Sequence, residues 1–320
     1  MAIRADDILD RRRLRRKLTF WRAAAVLVAL AGLFAIAWTA FPEERFGAKS
    51  RPHIAKVRIE GTIFEDEKLI ERLEDVRKSA SVKGVILSID SPGGTTTGGE
   101  AIFEEVRRLA GDKPVVAQVG TLAASAGYMI ATASDHIVAR QTSIVGSIGV
   151  LVQFPNFTGL MEKVGVTLDE VKSSPLKAEP SPFNPTTEPE RAMLRSLIMD
   201  SYDWFVGIVA DRRSMSRQEV IVLADGSIFT GRQALQKRLV DAVGGEETAI
   251  DWLETKGVDR KLEVIEWKPK ETAGSFLLSN AAMDRLASIL GYPSGGSELI
   301  RQLGIERLFL DGMVSVWQPD

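Results

Sequence analysis

The chain has 320 residues, of which 45% are hydrophobic and 26% are charged, the composition of a protein that can bury a core. It has no cysteine and only two histidines, which excludes disulfides, thiol nucleophiles and cysteine metal sites, so we predict neither a metal nor a cofactor. The net charge is -2, with +5 on residues 1–22 and -7 on the rest, and this acidic remainder argues against nucleic acid as a partner.

A basic tail followed by an apolar run opens the chain. The tail, residues 1–22, includes the basic run Arg11–Lys17, and residues 23–41 are nineteen residues without a charge. About 20 apolar residues span the ~30 Å hydrocarbon core of a bilayer, and a basic flank stays in the cytoplasm. We therefore predict a single-pass anchor in the cell (inner) membrane, with the rest of the chain periplasmic or extracytoplasmic. The alternatives are a signal peptide cleaved near residues 35–37 and a buried soluble helix.

Strand and helix patterns alternate behind a short linker at residues 42–53. Short β-branched runs predict strands, and apolar residues at helical spacing predict helices. The strands are expected at 54–61, 84–90, 114–120 and 136–140, and the helices at 67–80 and 98–112. This alternation predicts an α/β fold with a helix-covered sheet.

The second half of the chain continues the same alternation. Thr187 and Glu190 form a capping-box pattern that opens a helix running to about Arg213. A strand-turn-helix unit at 225–245, a helix at 246–257 and a last strand at 261–267 follow. We assign residues 54–257 to one domain and leave the role of residues 258–320 open.

The sequence SIDSPGGTTTGGE, residues 88–100, is the first with chemical potential. We expect a strand to end at Asp90, the residues Ser91–Gly94 to turn, and a helix to begin near Gly99. Paired glycines expose backbone N–H groups, which suits an oxyanion hole. A flexible strand-to-helix turn is the alternative.

Ser125 lies among small residues in GTLAASAGYMIATASDHIVA, residues 120–139. A serine at a helix start is most often an N-cap. It is also placed to act as a nucleophile, with the next N–H group, that of Ala126, directed along the helix dipole toward an oxyanion. The fragment alone leaves these two interpretations even.

A nucleophilic serine needs a base, and neither histidine is well placed to be one. His53 adjoins the linker, and His136 opens a strand, where a partly buried structural histidine is the commoner case. Lysine is a recognised partner of serine if desolvation lowers its pKa from about 10.4. Lys172 and Lys177 lie in an irregular, proline-rich segment, although an isolated lysine is ordinarily a surface residue.

Five motifs in order resemble a known family. They are SPGG after a strand, SAGY opening a helix, GSIGV at 146–150, a lysine pair in the form KSxxxK, and GRQALQKRLVDAVGG. Together, over about residues 54–257, they resemble signal peptide peptidases of the SppA type in their short, single-domain form. The resemblance implies a ClpP/crotonase-like spiral fold behind a single transmembrane helix, a Ser-Lys dyad, and a homo-oligomeric dome on the membrane with active sites at subunit contacts.

The resemblance also implies roles for individual residues. Ser125 matches the nucleophile and Lys177 the general base, while Ser147 matches a serine that orients the lysine. Gly94 and Ala126 match the oxyanion donors. A substrate groove would be lined by Gly93, Ala124, Val145 and Ile148. After the motif KS, this chain has Ser174 and Pro175 where the family commonly has glycine.

The expected function is that of a membrane-anchored serine endopeptidase that degrades cleaved signal peptides. Its expected partners are hydrophobic peptide substrates, the membrane and further copies of itself. Two other classes share the fold. One is a non-catalytic membrane scaffold, against which the intact Ser125 and Lys177 argue. The other is an acyl-CoA enzyme of crotonase type, against which a domain outside the cytoplasm argues.

Overall fold

A mostly parallel, eight-stranded sheet lies at the centre of the structure, a computed structural model that describes residues 20–22, 24–28, 30–31, 49–269 and 314–316. The main strand order is β7-β6-β4-β2-β1-β9, and β5 pairs with β4 and β8. Its strands are β1 (His53–Glu60), β2 (Val82–Ser91), β4 (Val115–Ala124), β5 (His136–Ala139), β6 (Ile144–Gly146), β7 (Ile228–Thr230), β8 (Ala242–Val243) and β9 (Val264–Glu266). Within this sheet only the β6–β7 pair is antiparallel.

Strand β4 serves two neighbours along one edge. Its first half, Val116–Val119, pairs with β5, and its second half, Leu122–Ala124, pairs with β6. A second sheet has two strands, β3 (Gly93–Thr95) and β10 (Val314–Val316), which pair antiparallel. Directly after β2, the chain therefore leaves the large sheet and enters the small one through β3.

Helices cover both faces of the large sheet. They are α1 (Glu67–Lys78), α2 (Thr96–Asp112), α3 (Ala126–Ala133), α4 (Thr158–Val164), α5 (Glu188–Arg213), α6 (Arg217–Leu223), α7 (Gly231–Gln236) and α8 (Glu246–Thr255). One buried cluster joins the sheet to α1, α2, α3 and α5, and a second joins its other face to α8 through Ala249 and Leu253. Burial on both faces explains the continuous apolar runs of β2 and β4.

The predicted alternation of strands and helices is confirmed, with one correction near the glycine pair. The residues Ser91–Gly94 are not a simple turn, because β2 continues to Ser91 and β3 begins at Gly93. The following helix starts at Thr96 rather than near Gly99. The hydroxyl of Thr95 accepts a hydrogen bond from the Gly98 N–H at 3.1 Å, and this N-cap fixes the earlier start.

The predicted N-terminal anchor falls largely outside the described residues. Residues 24–28 and 30–31, which lie within it, are helical, and the apolar side chains of Val26, Leu27, Val28 and Leu30 are exposed. In the part of the chain that the structure describes, no helix has both the length and the apolar content to cross a bilayer. The basic tail before Phe20 lies outside the described residues.

Candidate active site

Three parallel strands end at the same edge of the sheet and bring the predicted site residues together. β2 ends at Ser91, β4 at Ala124 and β6 at Gly146, and Ala124 pairs directly with Gly146. The carboxyl ends of parallel strands are where α/β proteins place their sites. Gly93, Ser125 and Ser147 each follow within two residues of one of these ends.

Ser125 occupies a strained junction between β4 and α3. Its φ is 55° and its ψ is -120°, a conformation that costs a non-glycine residue about 1–3 kcal/mol. The Ser125 N–H donates to the Gly146 carbonyl at 2.8 Å, and its own carbonyl accepts from the Met129 N–H at 2.9 Å. The hydroxyl makes no capping hydrogen bond. Ser125 therefore stands at the N-cap position, as one of its two interpretations expected, but its side chain does not cap the helix.

Helix α3 is held rigidly at both ends. All of its eight residues are buried, and the Tyr128 hydroxyl donates to the Leu239 carbonyl at 2.8 Å. At its C-terminus Arg107 donates to the Ala133 carbonyl at 2.7 Å, and Arg212 donates to the Thr132 carbonyl at 2.9 Å. These cations complement the helix dipole. The first-turn N–H groups, which include that of Ala126, have no partner within the helix.

The glycine strand β3 is fixed along one edge by the segment around Ile63. The Ile63 N–H donates to the Gly93 carbonyl at 2.8 Å, and the Thr95 N–H donates to the Ile63 carbonyl at 2.8 Å. Successive residues of a strand direct their N–H and C=O groups to opposite edges. Gly94, which lies between these two, therefore directs its N–H toward the other edge of β3.

Gly94 has no room for a side chain, and Gly93 has an unusual backbone. A Cβ on Gly94 would lie 1.8 Å from the Ile63 carbonyl oxygen. Gly93 has a φ of 107°, which glycine adopts readily. The Ser91 hydroxyl donates to the Gly61 carbonyl at 2.6 Å and accepts from the Gly93 N–H at 3.1 Å. This buried serine therefore fixes the turn from β2 into β3.

The start of α3 packs against this glycine strand. A Cβ on Gly127 would lie 3.0 Å from the Ser91 carbonyl oxygen, and one on Gly99 would lie 3.1 Å from the Ala126 Cβ. Ser147 follows β6 with a φ of 52° and donates its N–H to the Ser227 carbonyl at 2.8 Å. The structure thus gathers Ser125, Ala126, Gly94 and Ser147 at one end of the sheet.

The two candidate lysines have different surroundings. Lys172 pairs with Glu170 at 2.6 Å and with Glu179, and its hydrogen bonds to these carboxylates raise its pKa above the ordinary value. The Lys177 side chain is exposed, and within residues 49–269 no hydrogen bond or ion pair reaches its ammonium. The single chain records no hydrogen bond from Lys177 to Ser125 or Ser147. Its role as the base stays a prediction.

The predicted groove residues lie inside the fold. Gly93 is buried, and Ala124, Val145 and Ile148 have no exposed surface in the single chain. Val145 and Ile148 belong to the main hydrophobic cluster, so their side chains contact the core rather than solvent. Their contribution to a groove stays a prediction.

Both histidines have structural partners, which was expected for His136 but not for His53. His136 stacks on Trp252 with ring centroids 5.0 Å apart, and its Nδ1 lies 3.8 Å from an Asp241 oxygen. Burial lowers the pKa of His136. His53 is fully buried, and its Nε2 accepts a hydrogen bond from the Trp267 indole N–H at 3.0 Å. Neither contact involves Ser125.

Sequence reasoning missed Asp90, the residue next to the turn. The β2–β4 register shifts between Ile89 and Ser91, so β4 carries extra residues there. An Asp90 carboxylate oxygen accepts from the Leu122 N–H at 3.1 Å inside this irregularity. Asp90 therefore fixes the strand three residues before Ser125. In the sequence, Asp90 is only a carboxylate at the end of an apolar strand. Carboxylates are common where a strand leads into a loop, so this signal did not single it out.

Comparison with known proteins identifies the family of this chain. The profile of peptidase family S49 matches residues 107–259, and the profile of Clp protease matches residues 57–144. A Methanocaldococcus jannaschii protein, provisionally named a protease, is 40% identical over 66% of this chain and 68% of its own length. The chain belongs to peptidase family S49. It is a serine protease with an α/β, ClpP-like fold.

Further relatives carry more specific names. An Enterococcus faecium protein, provisionally named the signal peptide peptidase SppA, is 36% identical over 65% of this chain. Protease 4 of Haemophilus influenzae is 34% identical over 81% of this chain. The chain spans 61% of the first and 45% of the second. The predicted resemblance to the SppA family is therefore confirmed.

Proposed function

We propose that this S49 protease is a membrane-anchored endopeptidase that cleaves hydrophobic peptides, including signal peptides, with a Ser125–Lys177 dyad. The Ser125 Oγ attacks a peptide carbonyl carbon while neutral Lys177 takes the hydroxyl proton. The N–H groups of Gly94 and Ala126 bind the oxyanion. Lys177 then gives its proton to the leaving amine, and water hydrolyses the acyl-enzyme.

The backbone of Ser125 is the observation that carries this proposal. Ser125 is held at a strained φ of 55° between a buried strand and a buried helix. Its side chain makes no capping hydrogen bond that would compensate for this strain. Such strain concentrates at functional residues. The neighbouring Gly94 and Ala126 N–H groups give the hydroxyl the oxyanion donors that acyl transfer needs.

The surroundings of the two lysines favour Lys177 as the base. Lys172 is held as a cation by Glu170 and Glu179, and its raised pKa makes it a poor proton acceptor. Lys177 has no such pair in the described chain. Because a base must be neutral to accept the serine proton, the unpaired lysine is the better candidate.

A second subunit is the proposed source of desolvation for Lys177. In the single chain Lys177 is exposed, whereas burial is what lowers a lysine pKa. Apolar side chains among the eleven residues before it in the chain are also exposed, namely Val166, Leu168, Val171 and Leu176. Exposed apolar clusters mark contact surfaces, and we assign this one to a neighbouring copy whose contact completes the active site.

The anchor and the substrate class rest on the N-terminal segment and on the relatives. A run of nineteen uncharged residues after a basic tail fits a membrane span. One relative bears the name signal peptide peptidase. A catalytic domain tethered outside the cytoplasm would meet the apolar peptides that signal peptidase leaves in the membrane. A reporter fused after Asp320 should therefore be active outside the cytoplasm, and a cytoplasmic reporter would refute the topology.

Active-site labelling tests the chemistry directly. A fluorophosphonate should modify the full-length protein at Ser125, and Ser125→Ala should abolish both labelling and peptide cleavage. Neither a scaffold nor an acyl-CoA enzyme would be labelled there. Co-assembly of Ser125→Ala with Lys177→Ala subunits should restore part of the activity. Mixed oligomers that form but stay inactive would place the dyad within one chain, and labelling at another serine would overturn the nucleophile.

A further inference from the structure

Ser91, the last residue of β2, contacts both strands that lead to the proposed reacting groups. Its side chain is completely buried. In the large sheet it pairs with Ala123 of β4, two residues before Ser125. Its hydroxyl accepts a hydrogen bond from the Gly93 N–H at 3.1 Å, and the next residue of β3 is Gly94. One buried residue therefore joins the strand before the nucleophile to the strand that carries a proposed oxyanion donor.

Ser91 also supports the start of α3, which carries the other proposed donor. A Cβ on Gly127 would lie 3.0 Å from the Ser91 carbonyl oxygen and 3.3 Å from the Ser91 Cβ. The absence of a side chain at Gly127 lets the helix pack directly against Ser91. Because Ala126 immediately precedes Gly127, the position of the Ala126 N–H relative to β3 depends on this contact.

The Ser91 hydroxyl is held in one orientation by two backbone groups. It donates its only proton to the Gly61 carbonyl at 2.6 Å, which leaves its lone pairs to accept the Gly93 N–H. Gly61 is fixed in turn, because its own N–H donates to the Asp90 carbonyl at 3.0 Å. Removal of the hydroxyl would leave the buried Gly93 N–H without this partner, which is costly for a buried donor.

We propose that Ser91 is a positioning residue that sets the separation of the two proposed oxyanion donors, the N–H groups of Gly94 and Ala126. The inference rests on the proposed function, because it takes these two groups as the donors. Both must lie ~2.7–3.1 Å from the same developing oxygen. Ser91 fixes β3 through its hydroxyl and contacts α3 through its backbone, so loss of the hydroxyl lets one donor move relative to the other.

A pair of variants of nearly equal shape tests the hydroxyl in the full-length protein. Threonine and valine are both β-branched, but only threonine can donate to Gly61 and accept from Gly93. The kcat of Ser91→Val should be about tenfold below that of Ser91→Thr, because a donor displaced by a fraction of 1 Å loses part of the ~10²-fold expected for 1 Å. KM for an apolar fluorogenic peptide should agree within about twofold, since the lost interaction forms only in the transition state. Ser91→Ala, which adds no atoms, should behave like Ser91→Val.

A transition-state analogue gives a readout that a loss of stability alone would not change. A peptide boronic acid forms a tetrahedral adduct with a serine Oγ and places an oxygen in the oxyanion hole. Its affinity should fall from Ser91→Thr to Ser91→Val by the same factor as kcat/KM.

Ser143→Ala is the matched control, because Ser143 makes the same kinds of hydrogen bond elsewhere. Ser143 is buried, and its hydroxyl donates to the Gly120 carbonyl at 2.6 Å and accepts from the Arg140 N–H at 2.9 Å. These bonds involve neither β3 nor α3. Ser143→Ala should lose stability but keep kcat within about threefold, since it removes a buried hydrogen bond without moving a proposed donor.

The outcomes separate this inference from the proposed chemistry. Equal kcat values in Ser91→Thr and Ser91→Val would refute the positioning role, and so would a loss in Ser143→Ala as large as that in Ser91→Ala. In either case a wild-type protein that is active and labelled at Ser125 would leave the proposed function intact. If the wild type neither binds the boronic acid nor is labelled at Ser125, the proposed chemistry fails instead.

Discussion

Adding one methyl group at Gly94 should disable the enzyme. An alanine Cβ there would lie 1.8 Å from the Ile63 carbonyl oxygen and 2.5 Å from both the Ile63 carbonyl carbon and nitrogen. All three are backbone atoms, so no side-chain rotation relieves the contact. Restoring even a 3.0 Å separation requires β3 and the Ile63 segment to part by about 1.2 Å, and a misplacement of about 1 Å can cost ~10²-fold in rate.

The expected loss is in kcat rather than in KM. Removing one oxyanion donor costs ~10²–10³ in kcat. Displacing the Gly94 N–H should have a similar effect, so the kcat of Gly94→Ala should fall by ~10²-fold or more. The assay is peptide cleavage by protein that elutes from size exclusion like the wild type and keeps its near-UV circular dichroism. Gly111→Ala is the neutral control, since nothing lies within 4 Å of a Cβ at that position.

A substitution at a second glycine distinguishes displacement of the Gly94 N–H from a general loss of packing. A Cβ on Gly98 would lie 2.5 Å from the Phe64 carbonyl carbon, so Gly98→Ala strains the same segment without touching a proposed donor. It should lose stability but less kcat than Gly94→Ala. Equal losses in the two variants would attribute the effect to packing. A Gly94→Ala enzyme within about threefold of wild type would refute the oxyanion role, given the usual size of such effects.

Three further predictions concern the base, a histidine and the strand irregularity. Lys177→Arg should be inactive because arginine stays charged, whereas Lys172→Ala should keep most activity; the reverse pattern in peptide cleavage would mean that Lys172 is the base. Burial lowers the pKa of His136, so the unfolded chain binds its proton more readily, and the free energy of unfolding should fall as pH drops below about 6.5. His136→Phe keeps a ring beside Trp252 and should flatten that dependence in urea titrations, while an unchanged slope would exclude His136. Asp90→Ala should reduce kcat by ~10-fold through a displaced nucleophile, and Asp90→Asn, which keeps an acceptor for the Leu122 N–H, should restore most of it; equal losses would exclude this hydrogen bond.

Local patterns in the sequence predicted most of the elements because each has a local cause. The helix after Thr187 was expected from its capping pattern, and the Thr187 N–H does donate to the Glu190 carboxylate at 3.2 Å. The apolar runs at 84–90 and 114–120 became β2 and β4, which are longer in the structure. Periodicity and capping act within a few residues, so they can be recognised without knowledge of the fold.

The site could be predicted only in part, because its decisive features depend on distant contacts. From the sequence alone, a helix cap and a nucleophile were equally good interpretations of Ser125. Its positive φ accompanies a hydrogen bond to the Gly146 carbonyl and the start of α3, which the local sequence does not reveal. The glycine pair was expected to expose N–H groups, but the reason that Gly94 must be glycine is the Ile63 carbonyl. Strand β10 was missed because its pairing with β3 links residues more than 200 positions apart.

In the described chain, the proposed nucleophile and oxyanion donors are held in place by buried structure, whereas the proposed base is exposed. Ser125, Ala126, Gly94 and Ser147 are fixed by buried strands, helix α3 and backbone hydrogen bonds. Lys177 lies on an exposed segment, and within residues 49–269 its ammonium has no ionic partner. With Lys177 as the proposed base, activity depends on the surface that covers this lysine, because burial is what makes a lysine neutral. Under the proposed function, contact with a neighbouring subunit is therefore the step that completes the active site.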